Sequence, residues 1–212
     1  MSKTAYIDFD GTVVDVMHRY HGILAEYLHV NAFLNLSFEK YCLYKRQGFK
    51  DHIIVDKIFE GFKIDIEHYV DYKRINLESN KWLKVDTVIG SPQRAYKQLN
   101  EAGFKIYLLT QRNYKERLIN QVKLLNLEDS FDEYIVLMPL LGQNAKAEFL
   151  KNKVNSGDII IGDSPIEIEC ANMFDIAGFF VETGLWGKQF ANCKVQVFEN
   201  YNAVVDFLTS NI

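Results

Sequence analysis

The segment Tyr6-Ile7-Asp8-Phe9-Asp10-Gly11-Thr12-Val13 puts two carboxylates two positions apart at the end of a short apolar run, with a glycine just after. Lys3 to Ile7 reads as a buried strand, so Asp8 falls where the strand runs out into a loop. Open α/β sheets bind their ligands beyond the carboxyl ends of strands. Asp8 and Asp10, with Phe9 between them, project to one side of an extended chain. Two acids so placed repel unless a cation joins them or one keeps a proton. The pattern suits a nucleophile and a proton donor around one metal ion.

Outward from this segment, the later chain alternates strand-like and helix-like stretches. Strands are expected at Lys105 to Leu109, Tyr134 to Leu137, Asp158 to Ile161, Ala177 to Val181 and Val195 to Phe198. Helices are expected at Gln93 to Glu101 (behind Ser91 and Pro92), Asn113 to Leu125, Lys146 to Lys153, Pro165 to Phe174 and Asn202 to Leu208. Asn113, with Glu116 three positions on, has the pattern of a helix N-cap. This alternation predicts an α/β fold: a Rossmann-like parallel sheet with helices on both faces.

The stretch between Asp10 and Lys105 breaks the rhythm. A βαβ unit takes roughly 30 residues, and this stretch is about three times longer. The excess, residues 15–88, reads as an inserted helical cap, leaving 1–14 and 89–212 as the core. The insert contains an internal echo: Ser37 to Arg46 resembles Asp65 to Arg74, each with a capping residue, an early acid and two tyrosines three apart. Such stripes serve packing, or mark a duplicated hairpin. Two similar surfaces are expected, at most one of them facing the site.

Composition narrows the function classes. The 212 residues carry a net charge of −4, which gives no basic footprint for nucleic acid. No membrane span and no secretory leader are expected. Cys42, Cys170 and Cys193 are odd in number and widely spaced, which fits core thiols in a reducing cytoplasm. All five histidines lie in the insert, which argues against a Ser/His/Asp triad. His18 and His21 share a helix face, as packed side chains or as ligands.

Four positions fall at or beyond strand ends: Asp8/Asp10, Thr110 after Ile106-Tyr107-Leu108-Leu109, Lys146, and Gly162-Asp163-Ser164-Pro165-Ile166-Glu167 after Ile159-Ile160-Ile161. In a parallel sheet all four meet at one edge. This ordered set resembles the haloacid dehalogenase-like phosphohydrolase superfamily, over about residues 3–14 and 89–185. The resemblance implies a Mg²⁺-dependent phosphomonoesterase acting on a small phosphorylated metabolite through an aspartyl phosphate.

By that resemblance Asp8 is the nucleophile and Asp10 the general acid/base, its carbonyl touching the metal. Asp163 is a further metal ligand, Thr110 binds a phosphate oxygen, and Lys146 supplies fixed positive charge. Glu167, where the family usually has aspartate, is either a metal ligand or the second half of a capping box with Ser164. Arg112 either reaches substrate or pairs on the surface. An acid at Asp10 disfavours dehalogenases. A phosphomutase remains an alternative, as does a non-catalytic phosphate-binding or signalling module.

Overall fold

The computed structural model describes residues 3–192 and 195–210. Strand β1 (Lys3–Ile7) leads to a short β2 (Val14–Asp15) and then to five helices: α1 (Met17–Ala32), α2 (Phe38–Arg46), α3 (Asp51–Ile58), α4 (Ile66–Asn76) and α5 (Asn80–Leu83). A short β3 (Thr87–Val88) ends this insert and pairs antiparallel with β2, Val14 opposite Val88. The alternating part follows: α6 (Pro92–Glu101), β4 (Phe104–Gln111), α7 (Lys115–Leu124), β5 (Glu133–Leu137), α8 (Ala145–Leu150), β6 (Ile159–Gly162), α9 (Pro165–Phe174), β7 (Ala177–Val181), β8 (Gln196–Phe198) and α10 (Tyr201–Thr209).

Six strands form one parallel sheet in the order β5-β4-β1-β6-β7-β8. The alternation of side chains along β1 explains the two helical layers. Ala5 and Ile7 pack with Leu99 of α6, Leu118 of α7 and Val204 of α10. Tyr6 points the other way, toward Leu150 of α8 and Cys170 and Ala171 of α9. A strand covered on both faces must be apolar throughout, which accounts for Ile159-Ile160-Ile161. Truncating a fully buried leucine such as Leu99 would cost about 2–5 kcal/mol.

The insert has its own apolar cluster, including Leu24, Tyr27, Tyr41, Ile54 and Tyr69. Tyr20 and Leu185 pack against both this cluster and that of the sheet. His18 stacks on Phe38, and the His21 ring meets the Leu36 carbonyl at 3.0 Å, so both are engaged in packing.

Two local expectations need correction. β4 runs to Gln111, so Thr110 lies inside the strand end and not after it. Asn113 does not cap α7. Its amide and side chain donate to Glu78 of the insert at 2.8 and 2.9 Å, and the amide of Tyr114 joins them at 3.2 Å. Glu78 therefore supplies from a distance the carboxylate that the start of α7 needs. Cys42 and Cys170 are free thiols, and Cys193 lies outside the described residues.

Candidate active site

β1 lies between β4 and β6, with Ile7 beside Leu108 on one side and Ile161 on the other. The next amide, that of Asp8, donates to the Ile161 carbonyl at 2.9 Å and fixes Asp8 at the carboxyl edge of the sheet. Thr110 of β4 is buried at the same edge. Asn144 caps α8 by accepting from Ala147 N at 3.0 Å, which sets Lys146 in the first turn of that helix. Asp163 follows directly on β6. Asp8, Asp10, Thr110, Lys146, Asp163 and Glu167 thus line one cavity of about 150 Å³, which Arg112, His18 and His21 do not line.

Lys146 is 3% exposed and donates to Asp8 Oδ1 at 2.5 Å and to Glu167 Oε1 at 2.6 Å. Burial disfavours its charge, but the two carboxylates more than offset this and raise its pKa. The other Glu167 oxygen accepts from Ser164 N at 3.1 Å and Ser164 Oγ at 2.6 Å. Both Glu167 oxygens are thus committed, one to a capping box and one to Lys146. Glu167 is thereby tied to its helix start and to Lys146, while Oε1 keeps one lone pair unused.

Asp8 and Asp163 are both buried. Burial first, and Glu167 after it, push the Asp8 carboxyl up to about 7 against the pull of Lys146. Burial and the adjacent Asp8 charge push Asp163 well above the usual range. Three carboxylates (Asp8, Asp163, Glu167) against one ammonium (Lys146) leave two formal negative charges out of water. Among the described residues no three acid, histidine or cysteine side chains surround a common point. The oxygen donors that fit a hard divalent cation are the carboxylates of Asp8 and Asp163, helped by a backbone carbonyl such as that of Asp10.

The loop after β7 holds this arrangement. Leu185 N donates to Asp163 Oδ2 at 3.0 Å, and Thr183 Oγ1 donates to the Gly11 carbonyl at 2.6 Å. Gly11 has φ +81, and a Cβ there would lie 2.6 Å from the Asp163 carboxyl, so the turn demands glycine.

Asp10 sits under two guanidinium groups. Arg112 Nε donates to Oδ2 at 2.7 Å and Arg112 Nη2 to Oδ1 at 2.5 Å, while Arg19 Nη2 reaches Oδ1 at 2.6 Å. Burial would raise this carboxyl, but Arg112 and then Arg19 bring it down to about 2. Arg112 is thus buried and pairs inside the protein, not on its surface. Arg19, on α1, continues to Asp86 at 3.3 Å and to the Leu77 carbonyl at 3.0 Å. Gln121 of α7 completes the network, accepting from Arg112 at 3.1 Å and donating to Asp86 at 2.7 Å.

A second cavity of about 330 Å³ adjoins the first, sharing Tyr20, Leu185 and Trp186, and is lined also by Lys45 and Lys50 of the insert. No helix among the described residues is long and apolar enough to cross a membrane.

No protein-family model matches the sequence, and no curated protein does. Solved structures match it over nearly the whole length. A candidate phosphatase from Clostridium difficile is 14% identical, with 98% of each chain covered and a TM-score of 0.74. A haloacid dehalogenase-like hydrolase from Streptococcus pneumoniae is 15% identical, with 98% of each chain covered and a TM-score of 0.72. Protein tyrosine kinase A of Mycobacterium tuberculosis is 14% identical, with the same coverage and a TM-score of 0.72. The chain has the fold of the haloacid dehalogenase-like phosphatases.

Proposed function

We propose that the chain is a Mg²⁺-dependent phosphomonoesterase of the haloacid dehalogenase-like superfamily, with residues 1–14 and 89–212 as catalytic core and 15–88 as a helical cap. The observation that carries this reading is Asp8 at the sheet edge, with Lys146 on one oxygen and the cavity beside it. The same fold occurs in a kinase, so the acceptor of the phosphoryl group has to be argued from the site.

Asp8 attacks phosphorus through Oδ2, since Oδ1 accepts from Lys146. The phosphorus–ester oxygen bond breaks as the aspartyl bond forms. Arg112 and Arg19 keep Asp10 ionised in the structure, so the departing oxygen takes a proton through Asp10 that first has to reach it with the substrate or from solvent. Asp10 Oδ1 already accepts two bonds and Oδ2 one, so Oδ2 has the capacity to carry that proton. Water then attacks the aspartyl phosphate, Asp10 takes back a proton, and phosphate leaves with Asp8 restored. Lys146 offsets negative charge on the phosphoryl oxygens, and the Thr110 hydroxyl donates to one of them. Mg²⁺, held by Asp8, Asp163 and the Asp10 carbonyl, would screen the repulsion between Asp8 and the incoming dianion.

The substrate is a small phosphorylated metabolite, and the free thiols Cys42 and Cys170 fit a cytoplasmic protein. Steady hydrolysis of nitrophenyl phosphate with Mg²⁺, and acid-stable phosphate on an Asp8 peptide after quench, are the expected results. An Asp8→Asn variant with activity within tenfold of the parent would overturn the assignment. A phosphomutase would instead pass the group to a second hydroxyl and release little phosphate.

A further inference from the structure

The internal echo of the insert closes on a single carboxylate. Asp51, buried at the start of α3, accepts at Oδ1 from Tyr41 at 3.4 Å and Lys45 at 2.8 Å. Its Oδ2 accepts from Tyr69 at 2.7 Å and Lys73 at 2.6 Å. Tyr41 and Tyr69 occupy matching positions of the two repeated segments, and so do Lys45 and Lys73. In each copy the tyrosine and the lysine are four apart, on one face of the helix. Two separate surfaces, one turned outward, were expected. The two copies instead deliver their polar groups to one point.

Charge does not balance at that point. Burial alone would raise the Asp51 carboxyl, but Lys73 and Lys45 hold it well below the usual range, so it is ionised at neutral pH. Two ammonium groups against one carboxylate leave one positive charge. One lysine would have sufficed to neutralise Asp51. Both ammonium groups lie over the Tyr20 ring, at 5.9 Å for Lys45 and 4.9 Å for Lys73. Tyr20 is also a wall shared by the catalytic cavity and the larger chamber beside it. Lys45 lines the larger chamber itself and Lys73 stands against the Tyr20 ring, so the surplus charge lies at the wall of a chamber that adjoins the Asp8 cavity. Tyr20, Leu185 and Trp186 line both cavities, where a short carbon skeleton would lie.

We propose that the adjoining chamber holds the leaving group of the substrate, and that Lys45, with the charge of Lys73 behind it, recognises a second anionic group on it, a carboxylate or a second phosphate. The proposal rests on the phosphatase reading for the placement of the reacting phosphoryl group at Asp8. It adds a substrate class: small phosphomonoesters with an anion at the far end.

Three matched probes test it: propyl phosphate, 3-phosphooxypropanoate and propane-1,3-diyl bisphosphate. Their affinities are measured by titration calorimetry with Mg²⁺ on the full-length Asp8→Asn variant, and their kcat/KM values on the parent. The two anion-bearing probes should bind about 10- to 100-fold tighter than propyl phosphate, the worth of a charge-assisted hydrogen bond. The tighter of the two identifies the terminal group. Lys45→Met and Lys73→Met should each cut that advantage about tenfold. Each variant leaves Asp51 one lysine and both tyrosines, and if either melts, the comparison of probes on unaltered lysines still decides. Equal affinity for the three probes, or no binding of any, overturns the proposal. Selective binding without hydrolysis would sink the phosphatase reading and leave the anion site standing. Equal kcat/KM for all three would do the reverse.

Discussion

Replacing Arg112 by Met removes the two-pronged grip on Asp10, together with one contact to Gln121. Together with Arg19, the grip sets the Asp10 carboxyl, against the upward push of burial, at about 2 where 3.8 is ordinary. At about 1.4 kcal/mol per unit, that gap is worth about 2 kcal/mol of stability at neutral pH. Breaking one partner from a buried pair typically costs about 3–5 kcal/mol. Arg19 still reaches Asp10 Oδ1 in the variant, so we expect the smaller loss of about 2–3 kcal/mol at pH 7. The sign with pH follows from a depressed acid. Its contribution is complete above the unfolded value near 4 and disappears as pH falls through about 2. By pH 3, about 1 kcal/mol of it should be gone. Urea unfolding at pH 7 and pH 3, with unchanged m-values, measures the gap between parent and variant. A gap that stays constant or widens at pH 3 would show that Arg112 does not act through the Asp10 charge.

Asp10→Asn should slow single-turnover transfer from alkyl phosphates by about 10²–10⁴-fold and from nitrophenyl phosphate far less, because only the basic leaving oxygen needs the proton. Equal losses would reduce Asp10 to a structural group. Chelation with EDTA should stop turnover and Mg²⁺ restore it, with Ca²⁺ a poor substitute because its looser coordination misplaces the reacting groups; full activity after rigorous metal removal would refute the oxygen-donor site. Glu167→Gln should cost about 1–3 kcal/mol of stability through the lost charged bond to Lys146, while the Mg²⁺ concentration for half-maximal activity changes less than threefold. A tenfold rise in that concentration would place Glu167 at the metal.

Much of the candidate site was legible because it follows from position along strands. Asp8, Thr110 and Asp163 sit where apolar runs end, and a parallel sheet brings such ends together. Lys146 was separable from Lys151 and Lys153 because it opens a helix. Residues whose role arises from convergence were not legible. Arg112 meets Asp10 across 102 positions of sequence, and nothing local announces it. Arg19 carried a faint signal: it stands four before Ile23, on a face that proves buried, where a charge needs a partner. Asn113 had the pattern of a cap, but Glu78, 35 positions earlier, took its amide. The loop of Thr183 to Trp186 has no motif, although it steadies Asp163 and walls both cavities.

Glu78 has a consequence for modularity. It belongs to the insert, yet it takes up the amides of Asn113 and Tyr114 at the start of α7. Asp86, on the same stalk, does the like for Gln121 further along that helix. Excising residues 15–88 would therefore strip α7 of its anchoring acids and leave the Gln121 side-chain amide without its acceptors, Asp86 and the Leu83 carbonyl. Insert and sheet should melt together in a single transition. A foreign insert grafted onto this sheet would have to bring its own carboxylate for the first turn of α7.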